Sequence, residues 1–276
     1  MEDNGTQMIS VLMGVYYQKD SLALLERSVD SILSQTLTDL EFVICDDGSK
    51  DSVRRYLEKK AENDHRVRLV RPGACLSLPE KLNVCLRESR GEWIARMDDD
   101  DYAYPDRLER QMQYLNEHSE ISFVGCSARL CCGGEVVGER RFPEFPDVRD
   151  FYFSQPFLHP ALLFKRQVLE TVNGYSEDMR CRLCEDYDLL LRLYYAGYQG
   201  ANMPDVLFDY TIPPTAKGNR RMKHRWNEVV IRFIRFRELG RLPQALPWVV
   251  KPIIVGALPE NLLAYLKKRR EGRKNV

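Results

Sequence analysis

An open, mostly parallel α/β sheet of the doubly wound kind is the fold class the sequence predicts. Three observations predict it. Short apolar runs alternate with segments of helical spacing through the first 118 residues, an order that yields parallel strands with helices on both faces. Two of those runs end in acidic turns, Asp46-Asp47-Gly48-Ser49 and Asp98-Asp99-Asp100-Asp101, and ligands of such sheets gather at the carboxyl ends of the strands. A length of 276 residues accommodates one substantial core with an appendage.

In chain order, residues 8–15 form a β-rich run, and 21–34 carry Leu24, Leu25, Val29, Ile32 and Leu33 at helical spacing. Residues 40–45 read as a second buried strand, 51–63 as a helix, 67–70 as a strand and 78–88 as a helix with Leu82 and Leu86 inward. A strand at 93–97 leads into a helix over 105–118, where Pro105 is an acceptable first helical residue. Beyond Ile121 the pattern is mixed. Segments 121–130 and 135–142 flank Gly133-Gly134, a hairpin signal, and four prolines precede a strand at 161–164. A Leu-rich helix spans 185–196, closed by Gly197. From Met222 basic helices are interrupted by Pro243, Pro247, Pro252 and Pro259. The predicted organisation is an α/β unit over 1–216 and a basic helical extension over 217–276.

Charge is balanced, 41 basic against 41 acidic residues, which argues against a dedicated nucleic-acid partner. The distribution is uneven: the acidic clusters lie before residue 190, and Lys and Arg concentrate in 217–274. The apolar run 252–258 is far shorter than the roughly 20 residues a spanning helix needs. Trp248, Lys251, Leu262, Leu263, Tyr265 and Lys267-Lys268-Arg269-Arg270 read either as a segment lying on an anionic membrane surface or as a helical cap with a solvated basic tail. No secretion signal is visible, so the eight cysteines are expected as reduced thiols in a cytoplasmic setting. Cys131, Cys132, Cys181 and Cys184 leave a four-thiolate zinc site open.

Four adjacent carboxylates repel one another, a cost that a cation or a substrate offsets. Oxygen ligands at a strand tip suit Mg²⁺ or Mn²⁺ holding phosphates; the same run is also compatible with a solvated acidic loop. The turn at Asp46 and Asp47 offers acceptors to a base or ribose, or is ordinary turn chemistry in which Ser49 or Asp51 caps the next helix. Glu185-Asp186 opens the Leu-rich helix. Acids there complement the helix dipole, and one of them can serve as a general base.

These residues resemble the inverting family 2 glycosyltransferases of the GT-A fold, of the bacterial surface-polysaccharide type. Ile9-Ser10-Val11-Leu12-Met13 is similar to the family's opening strand, and Ser31-Ile32-Leu33-Ser34-Gln35-Thr36 to its first helix end. Cys45 to Asp51 resembles its nucleotide-site turn, and Ala95 to Asp101 with Pro105-Asp106-Arg107-Leu108 its Asp-x-Asp metal signature. Gly174-Tyr175 and the run from Cys184 to Arg192 resemble its acceptor-side motif. The likeness runs from residue 9 to 210.

The resemblance implies a role for each residue. Asp47 would accept the N3–H of a uracil or thymine ring, with Asp46 supporting that pocket. Asp98 would contact the ribose or the metal, and Asp100 would ligate Mn²⁺ or Mg²⁺ bridging the donor phosphates. Asp186 would deprotonate the acceptor hydroxyl, with Glu185 orienting base or acceptor. Arg221, with Arg220, Lys223 and His224, reads either as a cover over the diphosphate or as a solvated basic face, and His159 either matches a polar position near the family's site or is a satisfied structural histidine. The implied donor is a UDP-sugar and the implied acceptor a glycan or lipid-linked glycan, met at the cytoplasmic face of a membrane. Gly14 and Tyr17 stand where the family commonly has Pro and Asn, and Asp99 where it has a small residue. Two rival classes are a sugar-phosphate nucleotidyltransferase, whose Gly-rich basic loop Gly14-Val15-Tyr16-Tyr17-Gln18 does not supply, and a non-catalytic nucleotide-sugar or glycan-binding scaffold. The joint presence of Asp98, Asp100 and Asp186 argues against the scaffold.

Overall fold

In the computed structural model the described residues are 8–18, 21–73, 75–213 and 222–257. Strands β1 (Ile9–Val15), β2 (Leu40–Asp46), β3 (Val67–Val70) and β4 (Trp93–Arg96) alternate with helices α1 (Ala23–Leu33), α2 (Asp51–Asn63) and α3 (Leu78–Glu88). The strands lie in the order β3-β2-β1-β4, all parallel. Both faces are covered. Ile9, Val11 and Met13 pack into one apolar cluster with Leu25, Val29 and Ile32 of α1, while Leu12 enters a second cluster with Leu82 and Cys85 of α3. That double burial is why these strands read as unbroken apolar runs. A capping box between Ser77 and Glu80 starts α3.

After β4 come β5 (Tyr102–Ala103), α4 (Arg107–Glu117), β6 (Phe123–Cys132), β7 (Glu135–Arg140), α5 (Asp150–Phe153), β8 (Leu163–Lys165), α6 (Arg166–Thr171), α7 (Glu185–Tyr195) and β9 (Gly200–Thr211). Here the sheet is mixed. β8 runs antiparallel to both β4 and β6, β6 is parallel to β9, and β5 is antiparallel to β9. The expected parallel arrangement therefore occupies the first half. β8 is entered from a tight turn at His159–Ala161 with no long crossover helix before it, and a parallel return needs such a crossover.

Two further helices complete the described chain, α8 (Met222–Glu238) and α9 (Leu242–Ala257). Ile231, Phe236, Ala245 and Val249 are buried in the same cluster as Phe151, Tyr187 and Leu189. Asp188 of α7, fully buried, is bonded on one oxygen to Arg192 Nε at 2.8 Å and on the other to Arg235 Nε of α8 at 2.7 Å. Pro259 and residues 262–270 lie outside the described residues; Pro247 and Pro252, expected to break the extension, lie inside α9. Each removes one intrahelical bond, and burial of Ala245, Val249 and Pro252 against the domain offsets that loss.

All eight cysteines are free thiols. Cys181 and Cys184 pack in the α7 cluster while Cys131 sits on β6 near Asp209, so the four thiols considered for zinc do not converge. Among the described residues no helix is long and apolar enough to cross a membrane.

Candidate active site

Parallel register places the acidic turns at one edge of the sheet. Val15, the last residue of β1, pairs with Asp46, and Leu12 of β1 pairs with Arg96, which ends β4. β2 and β4 flank β1 on opposite sides, so the two turns bracket the switch point where crossovers change direction.

The Asp46 carboxylate accepts the Ser49 N–H at 3.1 Å and lies 3.5 Å from Arg71 Nε. Gly48 has φ +122°, which a side chain would strain. The turn is laced to β1: Tyr17 N–H donates to Ser49 Oγ at 2.9 Å, and Gln18 Nε2 to the Gly48 carbonyl at 2.9 Å. The Asp47 side chain is fully buried. It accepts the Leu76 N–H at 2.6 Å and lies 2.8 Å from Lys81 Nζ, whose ammonium also reaches the Val15 carbonyl at 3.1 Å. Lys81, inconspicuous in the sequence, stands between the two acidic turns, since its charge also acts on Asp99.

The second turn is pinned from three sides. Ser28 Oγ of α1 donates to the Asp98 carbonyl at 2.6 Å, Thr211 Oγ1 of β9 to the Asp100 carbonyl at 2.6 Å, and Thr211 N–H to Asp101 Oδ1 at 2.7 Å. Asp98 forms an ion pair with the buried guanidinium of Arg96. Below them Arg107, fully buried, donates to the Arg96 and Pro160 carbonyls, and burial lowers it to about 10. Even so the turn carries unrelieved negative charge. Burial, then Asp98 and Asp100, push Asp99 up to about 7; burial and Asp98 push Asp101 up to about 9. Asp101 Oδ2 is buried without a hydrogen-bond partner.

Among the described residues no three His, Cys, Asp or Glu side chains form a ready-made metal cage. That does not exclude a hard cation of the Mg²⁺ type, which takes one or two protein carboxylates and completes its shell with water and substrate phosphate. The excess charge and the orphaned Asp101 oxygen fit such an ion.

Asp186 heads α7 and lines a cavity of about 370 Å³ together with Arg140, His159 and Tyr210. Its Oδ1 accepts the Tyr187 N–H at 2.8 Å. The opposite wall comes from α8 and α9 through Arg225, Glu228, Arg232 and Lys251. Glu185 Oε2 is buried without a hydrogen-bond partner, and burial followed by the Asp186 charge raises its carboxyl above the ordinary range. His159 Nε2 meets the Tyr175 hydroxyl at 2.8 Å; burial, then Arg96, hold it well below the usual imidazole range, so it is neutral. Gly174 (φ +65°) lets Tyr175 clasp Asn83, its N–H donating to Asn83 Oδ1 at 2.9 Å while Asn83 Nδ2 donates to its carbonyl at 2.8 Å. A Cβ on Gly174 would lie 2.6 Å from Asn83 Oδ1.

Electrostatic reach connects the acid run to the cavity. Burial, then Asp98, Asp101 and Asp100, raise Tyr210 to about 12; Arg140 is lowered by burial while Tyr210 and Asp186 act in the opposite sense. Tyr175 feels Asp186, Asp98 and Glu185 at once. None of Asp46, Asp47, Asp98 or Asp100 lines the cavity itself; Asp46 and Asp47 sit beyond Lys81. Arg220 and Arg221 and the side chain of Lys223 lie outside the described residues, whereas His224 is on α8 with its Nδ1 buried. Nothing local in the sequence marks Lys81, Arg140 or Tyr210, and Tyr175 is marked only by following Gly174.

The sheet, parallel in its first half and mixed in its second, is that of the GT-A class of transferases, which its structural neighbours resemble. The chain belongs to glycosyl transferase family 2, whose sequence profile matches residues 10–172, and it is a glycosyltransferase. EpsE of Bacillus subtilis (strain 168), named as a glycosyltransferase, is 30% identical over 97% of this chain and 95% of its own length. The O-antigen biosynthesis glycosyltransferase WbnJ of Escherichia coli is 33% identical over 74% of this chain and 80% of its own. Among solved structures, S. aureus TarS 1–349 in complex with UDP-GlcNAc superposes with a TM-score of 0.69 at 17% identity, covering 88% of this chain and 72% of that one; it supports the fold.

Proposed function

We propose that this glycosyltransferase moves a sugar, with inversion, from a UDP-sugar to a hydroxyl of a glycan or lipid-linked glycan during cell-surface polysaccharide synthesis. The observation that carries the reading is Asp186 at the head of α7, opening into a cavity whose Tyr210 feels the charges of Asp98, Asp101 and Asp100. The names of WbnJ, for the polysaccharide, and of the TarS complex, for the donor, point the same way.

Asp47, held by Lys81 and the Leu76 N–H, reads the base; a pyrimidine N3–H reaches it by displacing one of those contacts. Asp46 stiffens the turn beneath it. Asp100 with Asp98 would hold Mn²⁺ or Mg²⁺, and a bound ion neutralises the departing diphosphate. Asp186 takes the proton of the acceptor hydroxyl as that oxygen bonds to the anomeric carbon from the face opposite the diphosphate, and the carbon–oxygen bond to UDP breaks with its electrons on the nucleotide. Glu185, buried beside Asp186, positions the base, and neutral His159, which lines the same cavity, is fixed by its contact with the Tyr175 hydroxyl.

Asp186→Asn tests the assignment. It should cut acceptor-dependent transfer by about 100-fold or more while leaving UDP-sugar affinity, read by calorimetry with Mn²⁺ present, within about threefold. Turnover close to that of the unaltered enzyme would remove Asp186 from the role.

A further inference from the structure

Helices α8 and α9 have two sides. The inner side walls the cavity through Arg225, Glu228, Arg232 and Lys251. On the outer side of α9, Pro243, Leu246, Pro247, Val250, Ile254 and Ala257 are all exposed and recur at helical spacing, so they share one face. Leu246, Val250 and Ile254 show 51%, 41% and 54% of their surface. On α8, Trp226 (59%) and Phe233 (42%) stand two turns apart and are likewise exposed. No domain core accounts for them, since the buried residues of these helices point the other way.

Charge indicates what covers this face. α9 contains no Asp or Glu, and its only charged residue is Lys251. From Arg241 to the chain end the sequence carries eight Lys and Arg against two Glu, with Lys267-Lys268-Arg269-Arg270 in one run. An apolar helix face with cationic flanks, free of acids along α9, complements an anionic lipid surface, where apolar side chains enter the headgroup boundary and cations meet lipid phosphates. No described helix is long and apolar enough to cross the bilayer.

We infer that the outer face of α8 and α9 docks on an anionic membrane surface, lying in its plane. The inner side of the same helices then holds the cavity at the interface, where a lipid-borne acceptor arrives. Only this consequence rests on the proposed transfer; the docking does not.

The test is flotation of the full chain with vesicles of phosphatidylcholine alone or with about one-third phosphatidylglycerol. The chain should float with the anionic vesicles, less so as salt rises. The variant Leu246→Glu/Val250→Glu/Ile254→Glu should lose about 100-fold in partitioning, with melting temperature and UDP-sugar hydrolysis unchanged. Trp226 supplies a measurement needing no variant: intrinsic fluorescence should shift to shorter wavelength with anionic vesicles only. Failure of the unaltered chain to float, or equal flotation of the variant, overturns the inference. So does a lipid-free dimer that the substitutions dissociate, because a second copy then covers the face. A melting temperature lowered by the substitutions also overturns it, because residues 258–276 then cover the face. Docking can fail while hydrolysis persists, so its failure is distinct from failure of the proposed transfer.

Discussion

Asp188 decides whether α8 belongs to the catalytic body, and removing its carboxylate is the most direct perturbation. Both oxygens are used, one by Arg192 of its own helix and one by Arg235 of α8, and the side chain is sealed from solvent. Truncating one partner of a buried ion pair costs about 3–5 kcal/mol because the other is left uncompensated. Here the guanidiniums retain 15% and 18% exposure. Arg192 keeps the Gly174 carbonyl at 2.8 Å, and Arg235 keeps Glu238 at 2.7 Å. Those residual contacts reduce the expected cost of Asp188→Ala to about 2–4 kcal/mol. At about 2–4 °C per kcal/mol for a chain near this size, the melting temperature should fall by about 4–16 °C. Asp188→Asn keeps the volume and one acceptor, and should cost about half as much.

The functional readout separates this clamp from general damage. α8 contributes Arg225, Glu228 and Arg232 to the cavity but nothing to the acidic turns. Asp188→Ala assayed below its melting temperature should therefore lose acceptor transfer by a larger factor than metal-dependent hydrolysis of the donor. A shift below about 1 °C, less than the smallest cost argued above, would refute the clamp. Equal losses of transfer and hydrolysis would refute the division of labour.

Lys81→Met should weaken UDP-sugar binding by about tenfold, about 1.4 kcal/mol, measured by calorimetry; an unchanged affinity would detach Lys81 from the donor side. His159 sets an acid limit. Its folded pKa lies below its unfolded one, so its contribution is complete above about 6.5 and is lost as pH falls from there through the folded value. Melting curves from about pH 8 to about pH 5 should decline less for His159→Gln than for the unaltered chain, and parallel curves would contradict this. Asp99 and Asp101 act with the opposite sign. Their raised values, about 7 and about 9, mean that without metal their contribution is present at low pH and is lost as pH climbs through those values. Mn²⁺ should therefore raise the melting temperature more at about pH 8 than at about pH 5. The same increment at both would count against a cation at the acid run.

The first half of the fold was legible because its signals are local. β1, β2 and β4 are apolar on both faces, α1 and α3 carry helical periodicity, and each acidic turn directly follows a strand. The departures have physical causes. α4 starts at Arg107 and not at Pro105, because the Pro105 carbonyl is already engaged by the Thr36 N–H at 2.8 Å. β9 could not be read as a 12-residue strand, since Pro204 and Asp205 interrupt its pattern and its pairing with β6 shifts register twice. The site divides in the same way. Asp46, Asp98, Asp100 and Asp186 announce themselves by clustering or by opening a helix. Lys81, Arg140 and Tyr210 acquire meaning only through neighbours brought in by folding, Lys81 through a carboxylate 34 residues away by its number and Tyr210 through the charge of the acidic turn after β4.

The reversal of strand direction between β4 and β8 divides the chain's labour along its length. On the proposed assignment the nucleotide side is built mainly upstream of it, with Thr211 of β9 reaching back to brace the acidic turn. If that division holds, hybrids spliced at the junction should inherit donor choice from the front and acceptor choice from the back.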